Sequence, residues 1–187
     1  MITISIDDYH PRNLEIAARA KEYGVPVLWF IQCGQEHEQS QIVKLIHMGF
    51  EVGSHTLTHP MDMKLLSDEQ VVNEVVRSKE WIEQYQPVRW FCYPRGRFDE
   101  RTKVAIKAAG YQFARTTRVL RKDVDPLEIQ NTLHMFPRKE YGDRIWQGLF
   151  EEQIVGNYDL HLWGHAKEIF EYGYFEDLIS IFKQMAI

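Results

Sequence analysis

Two histidines four residues apart and two adjacent acids are the residues whose types and spacing best suit chemistry. The histidines lie in Phe50-Glu51-Val52-Gly53-Ser54-His55-Thr56-Leu57-Thr58-His59-Pro60, and the acids are Asp7 and Asp8. One turn of helix would set both imidazoles on one face, and neutral imidazoles presented together are a common means of holding a transition metal. With Asp8 they would form a set of two histidines and one carboxylate, leaving coordination positions open as a catalytic site requires; zinc or another first-row divalent ion fits such a set. The adjacent acids repel each other and raise one pKa unless a cation lies beside them. A metal held by one, with the other left as a base, resolves that conflict. Each feature alone also has an ordinary use. His-x-x-x-His serves as a surface or capping pair about as often as it binds metal, and an Asp at a strand end commonly caps a turn.

The segments that must position these residues alternate in period. Ile2, Ile4 and Ile6 alternate with Thr3 and Ser5, a strand that delivers Asp7 and Asp8 at its end. A helix follows over 13–23, with Leu14, Ala17, Ala18 and Lys21 at helical spacing and Gly24 closing it. Residues 25–31 are a short apolar run, Ser40 can cap a helix through Met48, and 50–52 is a strand running into the histidines. A third helix is expected over 67–85, with an apolar stripe of Val71, Val72, Val75, Val76 and Ile82, stopped by Pro87. Strand 88–92, helix 99–109 closed by Gly110, and strand 111–114 with Arg115 at its end continue the pattern. Residues 116–130 read as a charged loop, 132–136 as a strand, 141–155 as a helix, 158–163 as a strand leading to Gly164-His165, and 175–185 as a closing helix. Strands alternating with helices imply an α/β fold with a mostly parallel sheet. Asp7-Asp8, His55, Tyr93-Pro94, Arg115 and His165 then all fall at strand C-terminal ends, the functional face of such sheets.

A chain of 187 residues with 44% hydrophobic and 26% charged residues can bury a substantial core, and one domain spanning 1–187 is expected. The net charge of -5 and the lack of any Lys/Arg-rich run argue against a nucleic-acid partner and leave a small or uncharged one. No secretory leader and no run of membrane-spanning length is visible, and Cys33 and Cys92 stand far apart as thiols suited to a reducing compartment. A cytoplasmic location is the expectation.

Three stretches carry a family resemblance: Ile4-Ser5-Ile6-Asp7-Asp8, Gly49 through His59, and Phe91-Cys92-Tyr93-Pro94-Arg95-Gly96. Together they resemble the NodB-type polysaccharide deacetylases, carbohydrate esterase family 4. The resemblance implies a distorted or incomplete (β/α) barrel and metal-assisted hydrolysis of an N-acetyl, or N-formyl, group on an amino-sugar or oligosaccharide substrate. Carried over by position, it makes Asp7 the general base and Asp8, His55 and His59 the ligands of a divalent ion, zinc foremost, with cobalt, nickel, manganese or iron as alternatives. A metal-bound water is then the nucleophile, and an acid must protonate the departing amine. His165, at a strand end after Gly164, is the candidate acid. His161, on the same strand face with Asp159 and Trp163, is read as a buried, hydrogen-bonded neighbour.

The third motif departs from the family pattern. Where the family has an Arg that orients the catalytic Asp and a Tyr beside the oxyanion site, this chain has Cys92 and Arg95. Cys92 cannot replace a guanidinium, so Arg115 or Arg95 is expected to supply it to Asp7. The oxyanion donor is a backbone N–H and survives the change, which leaves Tyr93, Pro94 and Arg95 as the expected substrate pocket. For the acid that orients the last histidine the candidate is Asp125. Trp29, Trp90, Trp146 and Trp163 are expected in the core. The same departures motivate an alternative, a carbohydrate-binding or regulatory relative that keeps the metal and lacks turnover.

Overall fold

A computed structural model describes residues 2–121, 125–136 and 159–186. Its strands are β1 (Ile2–Asp7), β2 (Val27–Ile31), β3 (Val52–Ser54), β4 (Trp90–Cys92), β5 (Phe113–Arg115), β6 (Thr132–His134) and β7 (Leu160–His165). The helices are α1 (Asn13–Glu22), α2 (Glu36–His47), α3 (Asp68–Ile82), α4 (Glu100–Ala108), α5 (Ala166–Glu171) and α6 (Phe175–Met185). All the strands pair in parallel in one seven-stranded sheet of order β5-β4-β3-β2-β1-β7-β6. The sheet curls into a half-barrel with helices outside it, the distorted (β/α) barrel that the resemblance implied.

Strand alternation sorts the side chains between two environments. Ile4, Ile6, Val27, Trp29, Ile31, Phe91, Ala114, Leu133 and Leu162 face outward and form the main core with the helices. Inside the curl Leu28, Phe30 and Cys92 form a separate small cluster with Trp90, Trp90 stacks on Phe113 and His161 reaches Ser5. The irregular segment after β5 approaches both sheet edges. On one side Ile129 N–H donates to Ala114 C=O of β5, and on the other Leu120 N–H donates to Thr132 C=O of β6. These contacts blunt both edges as templates for pairing with another chain.

Several boundaries differ from the sequence reading. α2 begins at Glu36, four residues before Ser40, because Gln35 N–H donates to the Glu38 carboxylate at 2.8 Å and starts the helix earlier. α3 is capped by Ser67 as expected, but Val72 is exposed and the buried face is Val71, Glu74, Val75, Ser78 and Ile82. In α1 the buried face is Asn13, Ile16, Ala17 and Ala20, while Ala18 and Lys21 are exposed. α5 had no counterpart in the sequence reading, its six residues being too short for periodicity to register. Asp159 precedes β7 and is exposed rather than sharing its inner face. The helix expected at 141–155, with Trp146, lies outside the described residues.

Candidate metal centre and active site

β1 runs through the middle of the sheet and ends at Asp7, with Asp8 just beyond it in the left-handed region at φ 65°. That turn is held from two sides. Asp8 N–H donates to Phe30 C=O at 2.8 Å, and the buried Asn13 amide donates to Asp8 C=O at 2.9 Å and to Gln41 Oε1 at 2.8 Å. The carboxylates therefore diverge, Asp7 into the buried interior and Asp8 toward the rim, where it is partly exposed.

The histidines follow β3 on a loop, not on the turn of helix that their spacing suggested. Thr56 and His59 have φ of 67° and 52°, and this pair of left-handed residues folds the loop so that the rings meet 4.7 Å apart, edge to face. Backbone strain of this kind persists only where the surroundings over-determine it. Here Glu74 of α3 accepts from Leu57 N–H at 2.8 Å, Thr58 N–H at 3.0 Å and Thr58 Oγ1 at 2.7 Å. Ser78, one turn on, bonds Ser54 at the end of β3.

His55 and His59 both direct Nε2 at one oxygen, Asp8 Oδ1, at 3.5 and 3.6 Å. Ligands about 2.1 Å from a shared tetrahedral ion lie roughly 3.4 Å from each other, so the spacing suits a metal. Asp8 Oδ1 is buried and has no hydrogen-bond partner among the described residues. His55 Nδ1 lies 2.9 Å from Cys92 C=O. A carbonyl only accepts, so Nδ1 carries the proton and Nε2 presents its lone pair to the metal position. Burial pushes the His55 pKa down to about 4, which keeps the imidazole neutral as a ligand must be. The three residues therefore fit a divalent ion, although nothing in their geometry selects zinc from the other first-row metals.

Asp7 lies beside this set, and Arg115 at the end of β5 donates from Nη2 to Asp7 Oδ2, both side chains being buried. Burial alone would raise the Asp7 pKa, but the Arg115 cation holds it below the ordinary carboxylate value. Oδ1 has no hydrogen-bond partner among the described residues. The guanidinium also meets Cys92 Sγ and stands 4.5 Å over the Trp163 ring. Arg95 is exposed on a short turn with φ 55° and lines the same cleft as Asp7. Of the two arginines weighed for the base, Arg115 is the one beside it.

The cleft has a volume of about 440 Å³ and is lined by Asp7, Asp8, His55, His59, Tyr93, Arg95, Thr117, Val119, His134, Trp163 and His165. Trp163 is buried, as expected, and also forms a wall of the cleft; Pro94 is buried and does not line it. Tyr93 donates its hydroxyl to Leu127 C=O at 2.8 Å and stacks on Phe98. Gly96 and Arg97 spend their N–H groups on Tyr93 and Pro94 carbonyls. His161 is buried, with Nε2 2.9 Å from Ser5 Oγ and its ring stacked on Phe30, and it does not line the cleft.

His165 puts Nε2 3.8 Å from Asp8 Oδ2 and Nδ1 2.8 Å from Glu168 Oε2. Burial works against its protonation, but Glu168, Asp7 and Asp8 raise its pKa overall. Asp125 is not its partner: it pairs with Lys103 at 2.8 Å and accepts from Leu127 N–H. The sequence reading missed Glu168 and Glu74. Glu168 is three residues after His165, the spacing of neighbours on a helix, but with α5 unrecognised that signal had no element to act on.

A polysaccharide deacetylase family model matches residues 1–114, and the chain belongs to that family. The curated "Putative polysaccharide deacetylase YxkH" of Bacillus subtilis (strain 168) is 28% identical over 124 residues, 62% of this chain and 44% of that protein. This chain thus spans less than half the length of that relative. Among solved structures, a family 4 carbohydrate esterase from Streptomyces lividans in complex with acetate superposes with a TM-score of 0.62 at 16% identity, covering 99% of this chain and 85% of that one. A wild-type CE4-family pseudoenzyme from Bacillus anthracis gives 0.63 at 16% identity, covering 99% and 61%. At these identities the structures share the fold.

Proposed function

We propose that this chain is a metal-dependent amide hydrolase that removes an N-acetyl group from an amino-sugar or oligosaccharide substrate. The observation that carries the reading is the pairing of buried Asp7 with Arg115 directly beside the Asp8–His55–His59 convergence, since binding of a metal or a sugar needs no charged base next to the ligands. A divalent ion held by Asp8, His55 and His59 would polarise the acyl carbonyl and acidify water. The chain's own groups do the rest. Arg115 keeps Asp7 ionised and fixed through Oδ2, and Oδ1 takes the proton from the attacking water. His165, its Nδ1 held by Glu168, turns Nε2 toward the site and gives a proton to the departing amine. The exposed Arg95, with Tyr93 in the cleft wall beneath it, receives the sugar, and the Arg95 backbone N–H is the oxyanion donor.

The Bacillus anthracis pseudoenzyme with this fold, together with Cys92 and Arg95, supports a second reading in which the chain binds carbohydrate without turnover. Acetate and formate release from a panel of N-acyl amino sugars, with and without chelator, separates the two. Chelator-sensitive acetate release is expected. No release from any substrate by metal-loaded protein would favour the non-catalytic reading.

A further inference from the structure

Glu168 does more than hold His165. Its Oε2 lies 2.8 Å from His165 Nδ1 and also 2.8 Å from Nε2 of His134, so two imidazoles converge on one carboxylate oxygen. The three donors come from separate elements: His134 ends β6, His165 ends β7 and Glu168 is in the first turn of α5. His134 is buried, with its ring perpendicular to Trp163 at 4.5 Å. Glu168 also lines a cavity of about 280 Å³ with Tyr9, His10 and Lys167, which gives a small ion a route in.

Two histidines and one carboxylate are a donor set for zinc, whose tetrahedral ligands, about 2.1 Å from the ion, lie roughly 3.4 Å apart. The three donor atoms lie within 4.8 Å of one another, and the 2.8 Å hydrogen-bond separations from Oε2 to the two nitrogens need to open by only about 0.6 Å to admit the ion. The site is distinct from Asp8–His55–His59 because it uses the opposite edge of the His165 ring: Nε2 faces Asp8, and Nδ1 faces Glu168.

We propose that His134, His165 and Glu168 form a second, weaker zinc site whose occupation inhibits the enzyme by capturing His165. Zinc enters through the lone pairs of His134 Nε2 and His165 Nδ1, and the proton on each of those nitrogens moves to the other ring nitrogen or to solvent. A His165 coordinated at Nδ1 cannot become the imidazolium that donates to the leaving amine. The inhibition rests on the reading of His165 as the acid, whereas the binding does not.

Zinc stoichiometry at buffered micromolar zinc tests the binding directly. The wild type is expected to hold about two ions per chain, His134→Gln and His55→Ala about one each, and the double variant none. A wild-type stoichiometry of one, or a His134→Gln stoichiometry equal to that of the wild type, overturns the site. Rates are then read against zinc, each protein normalised to its own rate at one equivalent. Excess zinc should slow the wild type about tenfold or more and leave the normalised rate of His134→Gln flat. Equal inhibition in both overturns the regulatory claim. Binding of two ions without inhibition would point instead to a failure of the His165 assignment.

Discussion

Arg115 brings a guanidinium from β5 to both Asp7 and the Cys92 thiol of β4, the position at which the resemblance led us to expect an arginine. Arg115→Met strands a buried carboxylate, which costs about 3–5 kcal/mol when one partner of such a pair is removed. It should lower kcat at least about tenfold, roughly 1.4 kcal/mol of barrier. Arg115→Lys, which keeps the charge, should recover part of both losses in urea titrations and acetate release, and a Met variant within about twofold of wild-type rate would sink the role. His161 belongs to the same interior but serves stability. Burial, with Arg115 adding to it, pushes its pKa down to about 3 from 6.5. Between those values the unfolded chain binds the extra proton, so stability falls as pH drops from 6.5 toward 3, by about 1.4 kcal/mol per pH unit from this group. His161→Gln should flatten that slope in urea melts at pH 7 and pH 5, and an unchanged slope would contradict the assignment.

The elements act on the site mainly through α3 and β3. Glu74 is the hinge of that action, since it ties a helix to the loop that carries both histidines. Glu74→Ala removes three hydrogen bonds to the partly exposed Leu57–Thr58 loop, at a cost of about 0.5–1.5 kcal/mol, and should weaken metal binding about 10–100-fold, as loss of a group that orients ligands does. Competition with a chromogenic chelator measures it; wild-type affinity would show that the loop holds its shape without α3. Gly53 in β3 faces inward, and a Cβ there would come within 2.5 Å of the Phe30 ring and 2.9 Å of Trp90 Cβ. Gly53→Ala should destabilise by about 1–3 kcal/mol through overpacking, read as a lower thermal midpoint. Most elements are legible from helical and strand periods in the residues alone, because burial imposes those periods. Glu74 and Ser78 stay hidden inside an apparently apolar stripe, because what a polar residue on a buried face reaches is decided by the packing partner. α5 is too short for a period, and Glu168 goes with it.

For the whole molecule, the parallel half-barrel gathers residues from across the chain, Asp7, His55, Arg115 and His165, at the C-terminal end of its strands. Their placement at strand ends was legible in the sequence because each followed an apolar run, and so was the parallel α/β class. Their mutual geometry was not. The histidine pair looks helical by spacing but converges through two left-handed residues, and Asp7 finds its cation across three strands rather than on the adjacent motif. The central claim is a division of labour at these strand ends: Asp8, His55 and His59 hold the metal while Asp7 handles the proton. Metal content at buffered nanomolar zinc, read beside acetate release for Asp7→Asn and His55→Ala, tests it most directly. Asp7→Asn should keep wild-type zinc and lose about 10²-fold or more in rate, while His55→Ala should lose both. Equal zinc loss in the two variants, or wild-type rate in Asp7→Asn, would contradict that division.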